Sequence, residues 1–125
     1  MTIKVEVKDE FVHISDNPRG RLVIPKSYLY ELIECLMQWP DEDTTIYYYR
    51  SYGVDFSRRS CRLIRSPEFT PITILEMKRI TTPYFINGLY PLIDSSYLGP
   101  KERALIESYV KNNVSNKEKV NLQTP

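Results

Sequence analysis

The sequence predicts an α+β fold: a mostly antiparallel sheet of about five strands, packed by an amphipathic helix over 26–38 and a C-terminal helix over 101–111. Three observations carry that reading. Apolar and polar residues alternate from Ile3 to Val7, a period of two that suits a half-buried strand. Leu29, Leu32, Ile33 and Leu36 recur at helical spacing, and Thr44 to Tyr49 is a run of β-branched and aromatic residues. With 125 residues and 42% hydrophobic content the chain can bury one core, assigned to 1–111. Little apolar material follows, so 112–125 reads as a flexible tail.

Taken in order, Ile3 to Val7 and Phe11 to Ile14 form the two strands of a hairpin around the polar break at Lys8 to Glu10. Asp16-Asn17-Pro18-Arg19-Gly20 gathers strong turn formers, and Arg21 to Ile24 makes a third short strand that Pro25 ends. The helix from Lys26 carries Tyr28 and Met37 at the borders of its leucine stripe and stops before Pro40. Asp41, Glu42 and Asp43 form a solvated connector to the strand at 44–49. Tyr52-Gly53 reads as a turn, and Cys61 to Ile64 as the return strand. Ile72 to Ile80 accepts either a bent strand or a helical turn. Thr82-Pro83 opens a helix of about two turns before Pro91. The last helix places Ala104, Leu105, Tyr109 and Val110 on its buried side.

Composition narrows the function classes. The 17 basic and 16 acidic residues nearly cancel, so overall charge neither demands nor excludes a nucleic-acid partner. The N-terminus has no signal-peptide pattern, and no apolar run approaches the roughly 20 residues of a membrane helix. The expectation is a cytoplasmic protein without a membrane partner. Cys35 and Cys61 form no CxxC pair and read as buried thiols. His13 is the one histidine; alternating with Val12 and Ile14, it reads as a hydrogen-bonded strand residue rather than a general base. No GxSxG, HExxH or phosphate loop is present. The sequence therefore gives no sign of an enzyme, a metal site or a cofactor.

Charge distribution says more than total charge. Between Arg50 and Arg65 lie five arginines (Arg50, Arg58, Arg59, Arg62, Arg65) and one acid, Asp55, a local net charge of +4 against −3 for the remainder. Tyr47, Tyr48, Tyr49 and Tyr52 adjoin this stretch. Arginine fits phosphate bidentately and tyrosine offers a flat face to an unpaired base, so the mixture points to nucleic acid, DNA or RNA, and to single strands in particular. Alternation puts Tyr47 and Tyr49 on one strand face and Tyr48 on the other, so at least one tyrosine packs inward. The bland alternative pairs Arg58 and Arg59 with Asp41, Glu42 or Asp43. A second basic group, Arg19, Arg21 and Lys26, flanks the glycine turn.

Residues 12–37 resemble two families of nucleic-acid-binding module. Gly20-Arg21-Leu22-Val23-Ile24-Pro25-Lys26 is similar to the strand of AbrB-type swapped-hairpin regulators, which ends in Ile-Pro before a short helix. That resemblance implies an interlaced dimer, with Arg19, Arg21 and Lys26 facing DNA. Ser15-Asp16-Asn17-Pro18-Arg19-Gly20-Arg21, followed by Pro25 and the helix Tyr28 to Met37, is similar to the repeat of PUR-type single-strand-binding proteins, although three strands precede the helix where that repeat places four. Such repeats stack bases on aromatic side chains.

The sequence thus suggests a non-enzymatic nucleic-acid-binding protein, expected as a homodimer. The rival reading is a small inhibitor or regulator that binds a host protein complex, as compact proteins of viruses and mobile elements do. Tyrosine and arginine are also the residues of protein-binding hot spots.

Overall fold

The computed structural model describes residues 3–16, 20–66 and 72–114. Among these, seven strands and three helices follow in order: β1 (Lys4–Lys8), β2 (Phe11–Asp16), β3 (Gly20–Pro25), α1 (Leu29–Gln38), β4 (Thr44–Tyr49), β5 (Tyr52–Phe56), β6 (Ser60–Arg65), β7 (Ile72–Lys78), α2 (Thr82–Leu89) and α3 (Pro100–Asn113). β1 to β3 form one antiparallel sheet and β4 to β7 a second, each with its strands in sequence order.

The α+β class and both expected helices are present, but the strands number seven in two sheets rather than about five in one. β5 was hidden because Gly53 looked like a turn residue. The chain instead reverses at Arg50-Ser51, with Tyr49 opposite Tyr52 and Arg50 in the left-handed region at φ 41°. Gly53 lies within β5 opposite Tyr47, whose ring crosses it: a Cβ there would stand 2.8 Å from Tyr47 Cδ1 and 2.9 Å from the Ile46 carbonyl oxygen. The ambiguous stretch after Pro71 resolves as strand β7, with a bulge where it pairs with β6 between Leu63 and Ile64.

One core runs between the sheets and the helices. Val12, Ile14, Leu22 and Ile24 face inward from the first sheet, and Val54, Phe56, Leu63 and Met77 from the second. Both sets meet the leucine stripe of α1, where Leu29, Leu32, Ile33 and Leu36 are all buried. Each such side chain contributes about 1.5–3 kcal/mol relative to exposure. Lys26–Tyr28 form a separate 3-10 turn, so the α-helix starts at Leu29 rather than at Lys26. The two sheets touch where Gly20 opens β3 against the backbone of Ile74, and a Cβ at Gly20 would collide with the Ile74 carbonyl oxygen.

α2 begins as expected with Pro83 in its first turn and buries Ile86 and Leu89. α3 starts where the Glu102 carboxylate accepts the Gly99 N–H at 3.0 Å. Its buried stripe is displaced by one position from the sequence reading: Ile106 is buried, Tyr109 and Val110 are half-buried, and Ala104 and Leu105 are exposed, Leu105 by 60%. Polar contacts accompany that rotation: the Tyr90 hydroxyl donates to Glu107 at 2.6 Å and accepts from Arg103 at 3.2 Å. The helix continues to Asn113, and Val114 beyond it is buried; the rest of the expected tail, from 115, lies outside the described residues.

Candidate nucleic-acid interface

Antiparallel pairing sorts the arginines of 50–65 by position along the second sheet. Arg50 and Arg65 lie at the end that holds the β4–β5 turn, Arg58 and Arg59 at the opposite end in the β5–β6 turn, and Arg62 midway. Strands of about six residues separate the two ends by about 20 Å. The cluster that is continuous in sequence is therefore divided in space.

At the Arg58–Arg59 end the register completes a basic cleft. Ser60 pairs with Lys78, which brings the β5–β6 turn against the end of β7, and the Arg79 N–H donates to the Arg59 carbonyl at 2.7 Å. A cleft of about 720 Å³ opens there, lined by Arg58, Arg59, Ser60, Glu76, Lys78, Arg79 and Ile80. Four cations thus face one carboxylate. Glu76 is already engaged by Arg62 at 3.5 Å, while Arg58, Arg59 and Lys78 make no ion pair among the described residues. The sequence had offered Asp41 as a partner for Arg58 or Arg59; it pairs with Arg79 instead, at 3.7 Å and well exposed, a contact worth little in water.

Several contacts hold the cleft in shape. The Lys78 carbonyl accepts from the Thr81 hydroxyl at 2.9 Å and the Thr82 hydroxyl at 3.1 Å, which ends β7 and starts α2. Arg79 lies over the Trp39 ring, 5.2 Å from its centroid, and donates to the Arg58 carbonyl at 3.4 Å. Trp39 terminates α1 with φ 21°, a left-handed conformation that a bulky residue adopts only under constraint. The constraint is visible: its Nε1–H donates to the Ser57 carbonyl at 3.1 Å, and its ring packs edge-on against Phe56 at 5.1 Å.

At the other end Tyr28, Tyr48, Tyr49 and Tyr52 pack on one another. Tyr28 lies 4.1 Å from Tyr49 and 6.0 Å from Tyr52 between ring centroids, and Arg50 covers the Tyr49 ring at 5.5 Å. Hydrogen bonding to Tyr28 and the Arg50 charge hold the Tyr49 hydroxyl below the usual phenol range, and the same bond raises that of Tyr28. Tyr48 faces inward with its hydroxyl buried and without a partner among the described residues, and Tyr52 packs beside it. Tyr47 keeps the most accessible ring of the β4 and β5 tyrosines, 47% exposed, with its hydroxyl 2.9 Å from Ser66 Oγ.

The second basic group does not join either end as a cluster. Arg21 is exposed on the outer face of the first sheet, within electrostatic reach of Glu6, and Lys26 is half-buried in the 3-10 turn; Arg19 lies outside the described residues. His13 shares that outer face and departs from the sequence reading, because its Nδ1 is buried without a hydrogen-bond partner among the described residues. Both thiols are buried, and burial pushes each of them up to about 12. Among the described residues no group of three His, Cys, Asp or Glu side chains could hold a metal ion, and no helix is long and apolar enough to cross a membrane.

Sequence reasoning missed Lys78 and Arg79. The signal was a dibasic step at the end of a strand, followed by Ile80, which is 75% exposed. Its partner step, Arg58-Arg59, was recognised, but only the register of β6 on β7 joins the two. No protein-family model, curated protein sequence or solved structure matches this chain.

Proposed function

We propose that this protein binds nucleic acid, without catalysing a reaction on it, through the cleft lined by Arg58, Arg59, Lys78 and Arg79. The observation that carries the reading is the convergence of two dibasic steps from distant segments, three of whose four side chains have no carboxylate partner among the described residues. Guanidinium groups bind phosphate oxygens bidentately, and each phosphate neutralised releases condensed counterions. Arg62 is a weaker candidate, because Glu76 holds it and Asp55 lies opposite on β5.

The test is fluorescence-anisotropy titration of labelled single-stranded and duplex oligonucleotides at two salt concentrations. Binding should be about micromolar at low salt and fall steeply as salt rises. R58A/R59A should weaken it and flatten the salt dependence; unchanged affinity and slope in that variant would overturn the assignment. Trp39, the one tryptophan, lies beneath Arg79 and supplies a label-free readout of occupancy.

One observation favours a protein partner instead. The outer face of the first sheet exposes Phe11 and Val23, beside Lys8 and Arg21. A partner docked there would bind with little sensitivity to salt, in contrast to phosphate contacts.

A further inference from the structure

A second hollow adjoins the basic cleft. It measures about 450 Å³ and is lined by Ile3, Lys78, Thr81, Tyr84 and Phe85, so Lys78 stands as a wall common to both. The two hollows differ in chemistry. One presents arginines; the other presents the side chains of Ile3 and Phe85, which pack against the core from a half-buried position, together with the ring of Tyr84. Their geometry is fixed from behind, because Thr81 and Thr82 hold the Lys78 carbonyl and Pro83 sets the first turn of the helix that carries Tyr84 and Phe85.

A ligand that bridges Lys78 must carry an anionic group and a flat, weakly polar group within one side-chain length of each other. A nucleotide within a strand has that form. In a duplex, however, each base is stacked on both faces and paired along its edge, and cannot enter a side hollow; in a single strand it can. We infer that the Tyr84–Phe85 hollow receives an unpaired base whose phosphate lies on Arg58, Arg59 and Arg79, which makes the ligand single-stranded nucleic acid. The inference rests on the cleft being a phosphate site, and it assigns stacking to Tyr84 and Phe85 rather than to the tyrosines of β4.

The experiment compares three probes on the full chain: an eight-nucleotide oligothymidylate, an abasic deoxyribose-phosphate oligomer of the same phosphate number and a blunt duplex whose strands each carry that number. The base-bearing single strand should bind at least about fivefold tighter than the abasic oligomer, since stacking of one base is worth about 5- to 150-fold. F85L keeps an apolar side chain but removes the ring. It should bring the two single-stranded probes to within about threefold of each other while leaving the salt slope unchanged. Should F85L fail to fold, I3W, which fills the hollow from its rim, should have the same effect. Equal binding of abasic and base-bearing strands, or a base preference that survives both variants, overturns the hollow while leaving the cleft in place. Salt-sensitive binding in which the duplex matches or exceeds the base-bearing single strand does the same. No binding of any probe at low salt overturns the cleft and the hollow together.

Discussion

The two ends of the four-stranded sheet are made from the same residue types and use them in opposite ways. At one end Arg50 lies on Tyr49, Tyr49 on Tyr28, and Tyr48 and Tyr52 turn to the core, while Tyr47 and Arg65 stay exposed. At the other, Arg58, Arg59 and Lys78 reach a cleft without a carboxylate partner among the described residues, and one arginine stands on a tryptophan that is itself pinned. Composition alone does not separate a binding surface from a packed one. What separates them is convergence: the register of β6 on β7 brings two dibasic steps to one cleft, whereas no such cleft gathers Arg50 and Arg65.

The strongest way to break this comparison is to remove charge at both ends. R58A/R59A/K78A should lower single-strand affinity on the order of a hundredfold at moderate salt and reduce the log–log salt slope by about 2, as expected for three lost phosphate contacts. R50A/R65A removes two charges from the opposite end, where the first variant removes three, and should leave affinity within about threefold. Equal losses in the two variants, read by the same titration, would show that the ends do not differ in function.

Stability should respond the other way. G53A drives a methyl group into the Tyr47 ring and the Ile46 carbonyl, and should destabilise by about 1–3 kcal/mol in denaturant titration while leaving the cleft's salt slope intact. A binding defect larger than the stability loss explains would couple the two ends.

Between the ends, Cys35 and Cys61 give an alkaline signature. Their folded-state values lie above the ordinary thiol value, chiefly through burial, so the unfolded chain ionises first. Their contribution is complete below about pH 8.5 and is lost progressively as pH rises towards about 12. C35A/C61A should start less stable but lose less of its stability between pH 8 and pH 10. An unchanged slope would show that the thiols titrate as though exposed. The smallest effect is expected from R50G, which relieves the left-handed backbone at φ 41° but gives up the cation–π contact. The two nearly offset, leaving a stability change within about 1 kcal/mol.

Much of the architecture was legible because local periodicity dictates it. The stripe Leu29, Leu32, Ile33 and Leu36 could only bury one helix face, and the alternation of Tyr47, Tyr48 and Tyr49 gave their facing correctly. β5 was not legible, because glycine serves equally as a turn residue and as the floor beneath an aromatic ring, and the sequence does not distinguish these uses at Gly53. The cleft was half legible. Arg58-Arg59 stood out as charge, but Lys78-Arg79 gained meaning only from Ser60 pairing with Lys78, a register fixed by which side chains of β6 and β7 reach the core. Trp39 gave no signal at all, since nothing in Gln38-Trp39-Pro40 foretells a tryptophan in a left-handed conformation under an arginine.

The meeting of Gly20 with Ile74 has a kinetic meaning. Among the described residues every strand pair joins consecutive strands, so each sheet can assemble from contacts near in sequence. Docking one meander on the other is the step that joins distant parts of the chain, and it happens where a side chain as small as a methyl group would stand in the way. That single bare position lets the two sheets approach this closely, since any side chain there would hold β3 away from β7.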